Sequence, residues 1–409
     1  MLYRTFLLFF ITVISLSSWS APTVSLGDLL ENSRNKHPDN RLFEQRGLQI
    51  QAMLTGEPYL PSPMLFYEKM SSSGMDAMNE TKWEFRQKIP FLWKTYLTRN
   101  MYNEEINSVF SEWEQNQKER KARLTTEFFR WLAIKRKLKI KKDQEMLLTQ
   151  MIAVQRTRYV SQKVSQVELV ALQIERGNLL TEIAELEAEW KKQQVLVEEF
   201  AGPGISLKEA QPSDEPLKLQ ELGSWTTENL VELIEKNNSE VKANLAMVER
   251  GDLNVRQARA GWFPDLEIML SERKDDAGSV KRGWEVGIEI PLWLANERRS
   301  QIGQAKAEAV LSQTRYLELK RKTLLEVESL LTEQKQLRRQ LELMENGLVQ
   351  WSNQNVQSAR TAYQTGKLEY ASFLALMQSA YQTLIDYEDL KVKVLENQEQ
   401  LQLFIGGKS

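Results

Sequence analysis

Gly283-Trp284-Glu285-Val286-Gly287-Ile288-Glu289-Ile290-Pro291-Leu292 alternates strictly, with Trp284, Val286, Ile288 and Ile290 on one side of an extended chain and Glu285, Gly287 and Glu289 on the other. One face therefore seeks lipid or a core, and the other seeks water. Pro291 cannot donate to a ladder and ends the strand. Upstream, Leu266, Ile268 and Leu270 alternate less cleanly with Glu267, Met269 and Ser271. Glu272 to Arg282, rich in charge and holding Gly278, joins the two runs. The reading is a hairpin with a polar tip, its strands over about 263–272 and 282–291.

The same plan occurs earlier in the chain. Trp83, Glu84, Ile89 and Pro90 recur as Trp284, Glu285, Ile290 and Pro291, each displaced by 201 positions. Leu60-Pro61 answers to Phe263-Pro264, and Leu29 with His37-Pro38-Asp39 answers to Leu230 with Asn238-Ser239-Glu240. Tyr159, Lys163, Leu169, Ala171 and Leu172 face Tyr363, Lys367, Phe373, Ala375 and Leu376 at an offset of 204. Collinear matches at one long offset mean two large copies of one unit, not a solenoid. Between them, residues 201–224 hold Gly202-Pro203-Gly204, Pro212 and Pro216, and read as a linker. In the first copy the strands fall at about 58–70 and 82–90. Trp83, Phe85 and Ile89 oppose Glu84, Arg86 and Lys88 there, with Gln87 breaking the apolar face.

Long helices follow each hairpin, over about 95–157 and 166–200, then 296–362 and 370–403. Steps of three and four through Ile302, Ala305 and Ala309, Leu324, Val327 and Leu331, and Leu337, Leu341, Met344 and Leu348 mark a coiled-coil seam. Leu374, Met377, Tyr381 and Leu384 extend it, and Leu179, Ile183, Leu186 and Trp190 show it in the first copy. Such helices are roughly 90 to 100 Å long, several bilayer thicknesses, and must run through water side by side. Each copy thus reads as short helix, strand, strand, long helix, long helix. The domains are 21–200 and 225–405, and the fold class is mainly α with a small β-barrel contribution.

Residues 1–20 carry Arg4, an apolar stretch from Phe6 to Leu16, and Ser18-Trp19-Ser20 before Ala21, the layout of a secretory signal peptide. No apolar run long enough for a membrane helix follows. The chain has 54 basic and 56 acidic residues, which gives no bulk attraction for nucleic acid. It has no cysteine and one histidine, so a Cys/His metal site cannot be built within a protomer, and a Ser-His-Asp hydrolase would have to use His37. His37, before Pro38, is expected at the surface. Gly202-Pro203-Gly204 lacks the lysine of a phosphate loop. No catalytic residue, metal or cofactor is expected, and the protein is not read as an enzyme.

If the hairpins lie in a membrane, an oligomer follows. Four strands cannot close a barrel, whose smallest forms have about eight, and open edges in lipid leave backbone groups unpaired. Several chains must share one barrel, with Glu84, Arg86, Lys88, Glu285 and Glu289 facing its lumen. Trp83, Phe91, Trp93, Trp262, Phe263, Trp284 and Trp293 sit at or near strand ends, where interfacial aromatics belong. The alternative is a soluble periplasmic coiled-coil structural or adaptor protein whose strands pack on a helix.

The segment Gly283 to Leu292, followed by Ile302-Gly303-Gln304-Ala305 and by Ala362-Tyr363-Gln364-Thr365-Gly366-Lys367-Leu368 ahead of Phe373-Leu374, resembles the TolC-type outer-membrane factor family, the outer membrane efflux proteins. The resemblance covers essentially all of the chain after the signal. It implies a homotrimer with a shared 12-stranded transmembrane β-barrel and an α-helical periplasmic tunnel. It also implies docking on a periplasmic adaptor (membrane fusion) protein and an inner-membrane pump. The turns between the long helices would form the periplasmic tip, at Tyr159, Gln162, Lys163, Val164 and Ser165 and at Tyr363, Gly366, Lys367, Leu368 and Glu369. With Gln162 standing where the second copy has Gly366, the two tips are expected to differ in geometry. The family's constricting aspartates fall at Ser372 and Ala375, so Glu168 and Glu369 are the nearest carboxylates that could replace them. The stretch from Ile290 through Ala307 looks similar to the cobalt-zinc-cadmium heavy-metal efflux branch, though drug efflux and protein secretion share this architecture.

Overall fold

The computed structural model describes residues 22–56, 60–71, 79–162, 164–220, 223, 226–289 and 295–406. The expected signal peptide, Lys163, the strand ends at 58–59 and 290–291, and Trp293 lie outside them. The elements run β1 (Thr23–Val24), α1 (Leu26–Lys36), α2 (Pro38–Gly56), β2 (Met64–Met70), β3 (Glu80–Ile89), α3 (Leu92–Val160), α4 (Gln166–Ala201) and β4 (Gln211–Pro212). The order continues with α5 (Thr227–Asn237), α6 (Ser239–Ala260), β5 (Asp265–Asp275), β6 (Val280–Glu289), α7 (Ala295–Leu343), a π-helical turn (Met344–Leu348), α8 (Val349–Gln364) and α9 (Tyr370–Ile405).

Two helices, not one, precede each hairpin. Pro38 breaks the first pair, because it has no N–H to continue α1 but suits the first position of α2. Asn238 breaks the second, ending α5 while its Oδ1 accepts from the Val241 N–H at 2.8 Å as the cap of α6. Strand β2 starts at Met64, later than the composition suggests, because Pro61 and Pro63 stand before it.

Helix α3, with 69 residues, spans about 100 Å. At its far end Leu147, Leu148 and Met151 meet Leu172, Leu179 and Ile183 of α4, Val356 and Tyr363 of α8, and Phe373, Met377 and Tyr381 of α9. Nearer the sheet the core divides. Leu124, Phe128 and Trp131 of α3 bury Leu29 of α1 and Val197 of α4, while Val327 and Leu330 of α7 bury Ile234 of α5 and Leu401 of α9. The α4 and α9 helices stop at Gly202 and Gly406, with φ of 85° and 75°. Their last carbonyls are taken by neighbours: Asn32 Nδ2 donates to Ala201 O and Asn237 Nδ2 to Ile405 O, both at 2.8 Å.

The seam of α7 holds through Val327 and Leu341 but leaves Leu348 exposed, and Gly347 turns inward instead. The next buried position is Ser352, a step of five that only the wider π turn produces. A side chain at Gly347 would meet the Trp351 ring at 3.0 Å. The segment read as linker is structured too. Strand β4 pairs in parallel with β1, Leu207 is buried, and Lys135 donates to the Pro212 carbonyl at 3.0 Å.

His37 is not at the surface as expected; its side chain is only 15% exposed. Its Nδ1 accepts from Arg120 Nη1 at 2.9 Å, and the Asp39 N–H lies 3.3 Å from the same nitrogen. A guanidinium cannot accept, so the ring is neutral with its proton on Nε2. Burial and the Arg120 charge lower its pKa below 6.5, against the opposing pull of Asp39 and Glu199. A histidine kept neutral in the fold binds more protons when unfolded, so its contribution is complete above pH 6.5 and is lost as pH falls below that value. The melting temperature is expected to fall more steeply with acidification below pH 6.5 in the native chain than in His37→Asn, followed by circular dichroism.

Candidate functional site

The four long strands form one antiparallel sheet in the order β2-β3-β5-β6, so the two hairpins lie side by side through β3 and β5. Strands β2 and β6 are its edges, each hydrogen-bonded on one side only. The register brings Leu65, Phe85, Leu270 and Trp284 into one row, with Tyr67 and Trp83 above it and Ile89, Leu266 and Ile288 below it. This apolar face is bare: Leu65 is 66%, Trp284 74% and Ile288 57% exposed. Gln87 interrupts it harmlessly, because its Nε2 donates to the Pro61 carbonyl at 2.8 Å.

The opposite face is polar and carries Glu84, Arg86, Lys88 and Glu285 together. Glu289 holds the register position opposite Asp265. Glu84 is buried between Lys82, at 2.6 Å, and Arg86, whose guanidinium lies 4.8 Å from the centre of the Phe66 ring. Asp265 anchors the sheet to the helices. It accepts from Lys94 at 2.7 Å and from the Phe91 N–H at 3.0 Å. Phe91 and Phe263 stack above this joint with ring centres 4.8 Å apart. Alternation in the sequence separated the two faces; it could not reveal the β3–β5 pairing or the charge pair behind Glu84.

At the other end of the molecule lie the turns between the long helices. Gly366 has φ 76°, its N–H donates to Tyr363 O at 3.1 Å, and the Lys367 N–H donates to Ala362 O at 2.8 Å. This pair of bonds closes the helix in a Schellman motif. Gln162 has φ 58° and its N–H donates to Tyr159 O at 2.9 Å, so both turns use a left-handed residue and the expected difference in geometry does not arise at this position. Ser165 caps α4 by accepting from the Glu168 N–H at 3.4 Å.

The two turns are tied together by Arg158, which composition gave no reason to single out. Its Nη2 donates to the Gln364 carbonyl at 2.7 Å, one of the last carbonyls of α8, and more loosely to that of Tyr363 at 3.2 Å, which Gly366 N–H already engages. Tyr363 is buried and stacked on Phe373 at 4.4 Å, and burial followed by the Glu168 charge pushes its hydroxyl up to about 12. Glu168 Oε2 accepts from the buried Gln155 at 2.8 Å. Tyr159, Lys367 and Glu369 are exposed, Leu368 and Val164 are half-buried, and Ser372 and Ala375 lie exposed on the first turns of α9. Among the described residues no cluster of carboxylates and histidine could hold a metal ion.

Residues 230–407 match the family model described as outer membrane efflux protein. No curated protein matches the chain in sequence. Solved structures share its fold along nearly the whole length. The channel-forming protein CusC is 15% identical, with 97% of this chain and 96% of that one covered and a TM-score of 0.79. The CmeC outer membrane channel of Campylobacter jejuni is 13% identical over 95% of this chain and 90% of that one, with a TM-score of 0.78. The outer membrane protein VceC of Vibrio cholerae is 15% identical over 93% and 96%, with a TM-score of 0.74. The mainly helical fold with few strands implied by the resemblance is thus the fold of the chain, and the family model covers its second half.

An alanine at Gly366 would have to hold a left-handed backbone angle, which costs about 1–2 kcal/mol. Gly366→Ala is expected to speed hydrogen exchange across residues 362–373, while Gln162→Gly leaves exchange at its own turn the same or slower, measured by mass spectrometry.

Proposed function

From the outer membrane efflux protein match of residues 230–407 and the fold of the whole chain, we propose that the protein is an outer-membrane channel of an efflux system. The observation that carries the reading is the open-edged sheet, apolar on one face and charged on the other, mounted on helices about 100 Å long. A soluble sheet would cover an apolar face with a helix, and the exposure of Leu65, Trp284 and Ile288 speaks against that alternative. From Trp83 to Phe91 the chain rises about 26 Å. At a strand tilt of about 40° this makes a band of roughly 20 Å, near the height of a barrel's lipid-facing belt.

In this reading three chains join β6 of one to β2 of the next and close a twelve-stranded barrel, with Glu84, Arg86, Lys88, Glu285 and Glu289 lining it. The two tandem copies, 21–200 and 225–405, place their long helices around a common tunnel in the periplasm. The turns at 159–165 and 363–369 meet a periplasmic adaptor, behind which stands an inner-membrane pump. The channel itself does no chemical work. Cargo passes down a water-filled path, and energy comes from the partners.

Purified protein added to a planar lipid bilayer is expected to give discrete, long-lived conductance steps; a lasting absence of steps from the folded oligomer contradicts the reading. Replacing Glu168 and Glu369 together by glutamine is expected to weaken the dependence of conductance on the cation used. An unchanged dependence removes these carboxylates as the aperture ring.

A further inference from the structure

The outward face of the sheet changes character toward the hairpin tips. Its uppermost paired row reads Lys69, Thr81, Lys274 and Val280, and the next reads Tyr67, Trp83, Glu272 and Arg282. Below these comes the apolar row of Leu65, Phe85, Leu270 and Trp284. Cations thus stand directly above aromatic rings on one surface, at the end of the sheet farthest from the helices.

Neither Lys69 nor Lys274 forms an ion pair among the described residues, and both are exposed. One strand separates them, which sets their Cα atoms roughly 10 Å apart, a gap two lysine side chains can close around one phosphate. Arg282 is bound to Glu272 through Nε at 2.8 Å, and its terminal nitrogens remain free to donate. Glu272 is neutralised by Arg282, and the aspartates of the second hairpin's tip are engaged by backbone. Asp275 Oδ1 accepts from the Ser279 N–H at 2.8 Å, and Asp276 Oδ2 from the Asn79 N–H at 3.1 Å.

Immediately below Arg282 the sheet surface is hollowed. A depression of about 470 Å³ is lined mainly by Leu65, Trp83, Phe85, Leu270 and Trp284, with the Arg282–Glu272 pair at its rim. A cationic rim over an aromatic and aliphatic trough matches an amphiphile with an anionic head and a hydrocarbon tail. It matches a free phosphate poorly, because such an ion gains nothing from the trough. We propose that Lys69, Lys274 and Arg282 bind the phosphorylated headgroup of an outer-leaflet lipid, one acyl chain of which lies between Trp83 and Trp284. The inference rests on the outer-membrane reading and adds a specific lipid site to it. Bound there, the lipid clamps β2, β3, β5 and β6 at their free ends, where the barrel has no helices to hold it.

The test is native mass spectrometry of the full detergent-solubilised protein titrated with bisphosphorylated lipid A, with its dephosphorylated form, and with phosphatidylethanolamine. The native protein is expected to retain bisphosphorylated lipid A in preference to the other two. Lys69→Gln, Lys274→Gln and Arg282→Gln combined should weaken that binding roughly tenfold or more. Lys281→Gln, which removes one cation from the opposite face, should leave it unaltered. Equal retention of lipid A by the triple variant, or of the dephosphorylated form by the native protein, overturns the headgroup site while uptake of phosphatidylethanolamine leaves the membrane reading standing. Failure of the native protein to take up any of the three lipids overturns both.

Discussion

Backbone hydrogen bonding at two strand edges governs the rest of this molecule. The sheet holds four strands, and the outer edges of β2 and β6 have no partner among the described residues. In water those groups would be satisfied by solvent, but the apolar face above them is suited to lipid, where an unpaired N–H or carbonyl costs several kcal/mol. In the proposed channel only more strands of the same kind can meet that demand, and the edges supply both halves of the missing joint. The oligomer is then a consequence of short hairpins, not an addition to a finished fold.

The helices are fitted to the sheet by a small number of polar joints. Asp265 ties the start of β5 to Lys94 and to the start of α3, so the first hairpin's long helix is fastened to the second hairpin's strand. At the distal tip Arg158 of α3 closes the carbonyl end of α8. Between these ends the two halves keep separate cores and come together in one cluster only beyond Leu147. Along the stretch between, polar pairs such as Lys118 with Ser239 and Arg130 with Glu396 hold α3 against the second half.

Much of this was legible in the sequence, because the governing patterns are periodic. Alternation around Trp284 and Trp83 separates the two faces of the sheet, and steps of three and four mark Val327, Leu341, Met377 and Tyr381 as contact positions. What escaped was set by contacts between distant segments or by one-residue irregularities. The π turn shifts the seam from Leu348 to Gly347, and the surrounding residues suit an ordinary helix equally well. His37 is drawn inward by Arg120, on another helix, which donates to its Nδ1 at 2.9 Å. Gln162 takes a left-handed angle, as Gly366 does in the second copy, though its residue type disfavours it. For the candidate site, the residues of the sheet's polar face could be named from alternation, whereas Arg158 could not be named from any spacing.

In the proposed channel several chains complete one barrel, an assembly open to direct test. Its most direct measurement is the mass of the purified particle in lipid nanodiscs, read by mass photometry before and after heating in detergent. A shared twelve-stranded barrel gives a particle holding three copies of the chain that falls to single chains on heating. A stable, folded, membrane-inserted monomer would contradict it, because such a particle would leave the β2 and β6 edges open in lipid.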